Sequence, residues 1–247
     1  MSGALLKKPL RRKPARSSLF VWAGALAAIV AVVGFARTFF HPLITGTFSA
    51  HPAVYIHGAF LFGWVALFIG QAALVRRWRL ATHRKVGWAG LALAVGVVAS
   101  TMVIAVMASR RIAAGGAAAQ ANSELLVIIL EMFVFSSLVG AAILFRRRPE
   151  THKRLMLLAL IGALGPAWFR FRHYFPAVEN PVLFYSLLLA DSVILLAIAT
   201  DLRAGRGLHP VYLYAGGAMV AVHCVEVFAF PTAGFQFVAD RVAGPLI

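Results

Sequence analysis

Seven stretches of about twenty apolar residues, each set off from the next by a short polar break, leave this 247-residue chain one kind of architecture. A hydrocarbon core about 30 Å thick takes about 20 helical residues to cross, and inside it every backbone amide has to be bonded within its own helix. The runs fall at about 19–38, 52–75, 87–108, 124–145, 154–172, 182–202 and 210–230. They predict an all-α polytopic membrane protein with seven transmembrane helices. Charged residues make up 13% of the chain, against about 25% in soluble domains. A basic N-terminal segment, 1–18, and a short tail, 231–247, flank the 19–230 transmembrane domain, and neither is long enough to bury a core of its own.

The basic residues set the expected orientation. Six precede the first run (Lys7, Lys8, Arg11, Arg12, Lys13, Arg16). Five lie between runs two and three (Arg76, Arg77, Arg79, Arg84, Lys85) and five between four and five (Arg146, Arg147, Arg148, Lys153, Arg154). Arg203 and Arg206 lie between six and seven, so eighteen of 24 share one side. Basic loops stay cytoplasmic. The N-terminus is expected inside and the C-terminus outside, in a bacterial cytoplasmic (inner) membrane. A net charge of +16 distributed in this way suits anionic lipid headgroups rather than nucleic acid. The first run is longer than the apolar part of a signal peptide and is expected to be a retained helix. The one cysteine, Cys224, allows no intrachain disulfide.

A motif recurs. Arg79-Leu80-Ala81-Thr82-His83-Arg84-Lys85 and Arg148-Pro149-Glu150-Thr151-His152-Lys153-Arg154 share the form R-x-x-T-H-basic-basic, and Arg206-Gly207-Leu208-His209-Pro210 is a fainter copy. The repetition suggests helical hairpins 2–3, 4–5 and 6–7 with the first helix added. Thr82 and Thr151 are expected as helix N-caps and Pro210 in a first helical turn. The three histidines are expected either as interfacial polar residues or, where helices 3, 5 and 7 converge, as a weaker cytoplasmic-face metal or anion site of His83, His152 and His209.

Ionisable residues inside spans are costly and mark candidate sites. Helix 2 carries His57, Trp64 and Gln71 seven residues apart, helix 4 Glu131, helix 6 Asp191, and helix 7 His223 and Glu226 on one face. At 1.5 Å per residue, His57, Glu131 and His223 each lie roughly 8–10 Å below the outer ends of their helices. Asp191 is expected nearer the middle. Two histidines at matching depth could ligate haem b axially, with Arg170 and Arg172 pairing its propionates. Alternatively His57, Glu131, His223 and Glu226 could hold a non-haem metal, or the polar groups could simply join helices. Gly162-Ala163-Leu164-Gly165-Pro166 predicts a kink in helix 5.

The stretch His57…Trp64…Gln71…Arg76…His83-Arg84…Gly87, with Arg148…His152-Lys153-Arg154-Leu155-Met156 and His209-Pro210, resembles an uncharacterised family of bacterial multi-pass membrane proteins. Helices 2–3 are also faintly similar to cytochrome b561-type proteins. That resemblance implies haem-mediated electron transfer, with His57 and then His83 as carried-over ligands. Helices 4 and 6 lack the histidines that the pattern places there. Three functions are therefore expected as alternatives: a redox protein, an accessory subunit or assembly factor docking other membrane-complex subunits, and a small proton-linked transporter using Glu131, Asp191 and Glu226. No Walker loop, G-x-S-x-G or H-E-x-x-H motif occurs.

Overall fold

The computed structural model describes residues 18–247, so the basic segment 1–18, apart from Ser18, lies outside the described residues. Among the described residues, seven helices are long and apolar enough to cross a membrane: α1 (Leu19–Ile44), α2 (Pro52–Arg76), α3 (Leu80–Ala114), α4 (Ala118–Leu144), α5 (Pro149–His173), α6 (Val182–Arg203) and α7 (Tyr212–Ala229). No strand occurs among the described residues. Each helix matches one apolar run, but several continue well past it. α3 is 35 residues long and carries Arg84, Lys85, Arg110 and Arg111 within its ends. An apolar run stops where hydrocarbon gives way to headgroups, whereas the helix stops only where its backbone bonding does.

α5 is the central element. It packs against α1, α2, α4, α6 and α7, and 56% of its apolar window is buried, against 39% at most in any other span. Leu157, Leu158, Leu160 and Ile161 are fully enclosed. Its mean hydropathy, 1.3, is nevertheless the lowest of the seven. Lipid tails demand apolar surface from the outer helices, while a helix surrounded by protein can carry polar groups that find partners.

The predicted kink is present as a break. The first part of α5 runs Pro149–Ala163, Leu164 forms a turn, and helix resumes at Gly165–Phe169 before tightening into a 3₁₀ turn, Arg170–His173. Pro166 has no amide hydrogen to give the carbonyl four residues back. α1 closes on this break through Gly34, where any side chain would drive a Cβ into the carbonyl oxygen of Ala167.

The two motif copies fold in one register. Arg79 and Arg148 occupy the N-cap positions, which puts Thr82 and Thr151 at the third helical residue and His83 and His152 at the fourth. The threonines are thus not the caps expected from sequence, because each helix begins three residues earlier. His209 differs from both. Its ring accepts a hydrogen bond from the Val211 amide at 3.2 Å, as the His51 ring does from Ala53 across Pro52. Pro210 opens a helix as expected, but the His-Pro copy matches the start of α2 rather than those of α3 and α5.

The tail is folded. α8 (Ala233–Val242) is capped by Thr232 and seats Ala239 against α4. Asn122 donates to Asp240 at 2.7 Å across that contact, while Phe237, Val238 and Val242 stay exposed.

Four π-helical segments interrupt the spans: Ala36–Phe40, Val182–Leu189, Tyr212–Gly216 and Val225–Ala229. Such segments are rare and often lie beside functional positions. Three of them lie close in sequence to Asp191 on α6 and to His223 on α7.

Candidate functional site

α7 can be read as a ladder against α5 and α6. At its lower end the Tyr212 ring lies 5.7 Å from the guanidinium of Arg154. One turn up, Gly216 faces Leu158 and Ile194. Met219, fully buried, comes next, its sulfur against Gly162. One further turn brings His223, 95% buried among carboxylates. Eleven residues separate first rung from last, about 16 Å of helix.

The top rung is the chemical centre. His223 Nδ1 donates to both carboxylate oxygens of Asp191, at 2.9 and 3.0 Å. On the other side of the ring, Nε2 stands 3.3 Å from Glu131 Oε1. That separation suits an ion pair rather than a well-formed hydrogen bond, and Glu131 Oε1 has no hydrogen-bond partner among the described residues. Glu226, three residues beyond His223, lies within electrostatic reach of both Glu131 and His223. One imidazole thus joins carboxylates from two other helices, with a third carboxylate beside it.

This geometry has a direct chemical use. The Asp191 bond fixes the proton on Nδ1 and leaves Nε2 facing Glu131. A proton delivered by Glu131 to Nε2 would release the Nδ1 proton to Asp191. Imidazole suits such a shuttle because either nitrogen can carry the proton. A looser contact in a resting structure can tighten during the transfer.

The structure assembles the other sequence-derived candidates differently. His57 belongs to a separate pair, its Nδ1 3.3 Å from the Ser100 hydroxyl of α3. Trp64 is a packing residue, edge-on to Phe135 at 5.1 Å. With its amide oriented to satisfy its neighbours, Gln71 donates to His83 Nδ1 at 2.6 Å and accepts from the Gly87 amide at 3.0 Å. Of the proposed metal set, Glu131 and His223 are in contact and Glu226 is near, while His57 is engaged with Ser100. No group of three or more His, Cys, Asp or Glu residues with metal-holding geometry occurs among the described residues. Arg170 and Arg172 each bond a main-chain carbonyl, of Pro166 at 2.8 Å and of Phe169 at 3.1 Å.

At the basic end, His83 and His152 do approach, with ring centroids 6.3 Å apart and edge-to-face. His152 donates from Nδ1 to the Ala142 carbonyl at 2.8 Å. His209 belongs instead to the surroundings of Arg154. Burial, and after it the Arg154 charge, holds the His209 imidazole below its ordinary pKa.

Sequence reasoning missed the strongest ion pair. Arg154, 1% exposed, donates from Nε and Nη2 to Asp201 Oδ2 at 2.8 and 2.5 Å and from Nη1 to Glu150. Arg206 reaches the other Asp201 oxygen at 3.0 Å. The available signal was Asp201 itself, an acidic residue in a strongly basic stretch. The partnership of Asp191 with His223 was missed as well, although each residue had been singled out alone.

Neither protein-family models, curated proteins nor solved structures match this chain.

Proposed function

We propose that this integral membrane protein is a small proton-linked transporter whose coupling residues are Glu131, His223 and Asp191. The carrying observation is a single buried imidazole placed between carboxylates of α4 and α6. A structural role alone would need only one of those partners. The second leaves Glu131 with an unbonded buried oxygen, a costly arrangement that a proton-exchanging site explains.

The rest of the ladder favours a carrier over an open channel. Below the relay, Leu158, Ile161, Ile194 and Met219 form an apolar layer. Below that layer, Arg154 and Asp201 join α5 to α6. A proton passed through His223 to Asp191 therefore meets an apolar layer before the basic end in this conformation. Passage requires rearrangement, and the break at Leu164 in the central helix, one turn of α7 away from His223, is where α5 can bend. Discontinuous helices at mid-membrane are recurrent in transporters. In this reading the basic loops face the cytoplasm of a bacterial cell, and the relay opens toward the outer side.

Proteoliposomes loaded with a pH-sensitive dye and given an imposed potassium diffusion potential test the proposal. Proton entry is expected to exceed that of protein-free liposomes and to fall by about tenfold or more in E131Q, D191N and H223A, a conservative share of what positioned proton donors supply. Rates equal to protein-free liposomes, or insensitive to all three substitutions, would refute it.

Haem b stands as the second reading, because a histidine whose Nδ1 bonds a carboxylate is the usual form of a metal-ligating imidazole. The present arrangement fits it less well. Glu131 crowds Nε2, and His57, the other proposed axial ligand, is bonded to Ser100. A Soret band in the purified protein that weakens in H57A or H223A would favour the redox reading over the carrier.

A further inference from the structure

At the end opposite the basic loops, three arginines gather without a carboxylate. Arg37 comes from α1, and Arg170 and Arg172 from the 3₁₀ turn that ends α5. The three lie within electrostatic range of His173, and Arg170 also of His57. None forms an ion pair among the described residues, although Glu179 is in the following loop. The fully buried Arg154 is treated differently, being held by two carboxylates.

Each guanidinium is instead pinned by an aromatic face and a main-chain carbonyl. Arg170 lies over Phe35 at 4.1 Å, Arg172 over Phe169 at 3.8 Å and Arg37 over Tyr174 at 4.7 Å. Their hydrogen bonds go to the carbonyls of Pro166, Phe169 and His173 respectively. Tyr174 is itself anchored by its hydroxyl to the Val33 carbonyl at 2.8 Å. A guanidinium carries five N–H donors in one plane. Stacking fixes that plane, one carbonyl takes one donor, and the remaining edge stays available. Such a fork suits an oxyanion, because planar recognition of phosphate or carboxylate is what arginine does best.

Two further groups in the same segments lack partners. The Thr38 hydroxyl, next to Arg37, and the Trp168 indole nitrogen, two residues before Arg170, are buried with no hydrogen-bond partner. Buried donors are nearly always satisfied, and an oxyanion held by these segments is the kind of acceptor that the two groups lack.

We infer that Arg37, Arg170 and Arg172, with His57 at the margin, form a binding site for a phosphate-type oxyanion at the end of the bundle opposite the basic loops. This site is separate from the Glu131–His223–Asp191 relay and does not depend on its function. The same chemistry could be presented by the headgroup of an anionic phospholipid or by a free phosphate-bearing solute.

Thermal unfolding of the full-length protein in neutral detergent, followed by tryptophan fluorescence, distinguishes these sources. Inorganic phosphate is titrated against chloride at equal ionic strength, and phosphatidylglycerol is titrated separately in mixed micelles. A saturable rise in unfolding temperature is expected with at least one of them. Half-saturation is expected to weaken by about tenfold or more in R170Q/R172Q, as befits loss of charge-assisted bonds, and to be unchanged in R146Q/R147Q at the basic end. A response to phosphate assigns a solute site, and a response to phosphatidylglycerol alone assigns a headgroup site. Should R170Q/R172Q fail to fold, R37Q serves in its place, since Arg37 is exposed and gives its one bond to the carbonyl of His173 at the end of α5. No rise with either probe, or a rise of equal midpoint in the arginine variants, overturns the site.

Discussion

Replacing Asp201 with asparagine probes the ion-pair network that closes the basic end of the bundle. The side chains of Arg154 and Asp201 are only 2% and 3% exposed, so their charges are compensated by protein rather than by water. Asparagine preserves the size of the residue and one acceptor oxygen, but not the charge, and its amide would oppose Arg206. Arg154 would keep Glu150, whose side chain is 58% exposed and whose pairing is therefore weak. Removing one partner of a buried pair costs roughly 3–5 kcal/mol, and the residual Glu150 contact places D201N near the lower limit, about 3 kcal/mol. The companion variant R154M/D201L removes both charges and fills the space with apolar atoms. It is expected to fall within about 1 kcal/mol of the parent, because such replacements recover the desolvation cost. Unfolding by sodium dodecyl sulfate in mixed micelles, read by tryptophan fluorescence, gives both values and closes the double-mutant comparison. The reasoning fails if D201N differs from the parent by less than about 0.5 kcal/mol, the ordinary range of surface changes. It also fails if the double variant is as unstable as the single one.

Three smaller changes test the packing and the separation of the sites. G34V puts a branched side chain against the Ala167 carbonyl and is expected to cost about 1–3 kcal/mol as overpacking; unchanged unfolding in the same assay would show that α1 does not rest on the break in α5. W64A empties a buried site against Phe135 and should cost about 3–5 kcal/mol, with any visible-band spectrum of the purified protein left unaltered. S100A deprives His57 of its partner at a cost of about 1 kcal/mol or less and should leave dye-detected proton entry at the parental rate, since His57 is not in the relay. A large drop in that rate would move His57 into the pathway.

Seven spans could be read from the chain because hydrocarbon imposes a length and a composition that few other environments demand. Which face of each span turns inward could not, and the reason is physical. In a soluble helix the contrast between an apolar and a polar face reveals the buried side, but a helix in lipid is apolar all round. Only the rare ionisable residues carry positional information, and each reports its own cost without naming its partner. Glu131, Asp191 and His223 were therefore conspicuous singly, whereas the bond from His223 to Asp191 spans 32 residues and two helices. Uniform α-helical rise placed Asp191 deeper than His223. The structure brings their side chains together, with π-helical turns at Val182–Leu189 and Val225–Ala229 beside them in α6 and α7.

Arg154 shows the converse difficulty. In sequence it is one of five basic residues at a turn, where orientation in the membrane is sufficient explanation. In the fold, the register shared with Arg79–Lys85 starts α5 at Pro149 and carries position 154 a full turn inside the helix, where the buried Asp201 and the more exposed Glu150 compensate it. The matching position in the other copy, Lys85, is exposed and unpaired with any carboxylate among the described residues. The two motif copies thus share a backbone solution and differ in what their last basic residue does. In α3 it faces outward at the membrane surface. In α5, the most enclosed of the seven spans, it becomes an internal cross-link to Asp201 of α6.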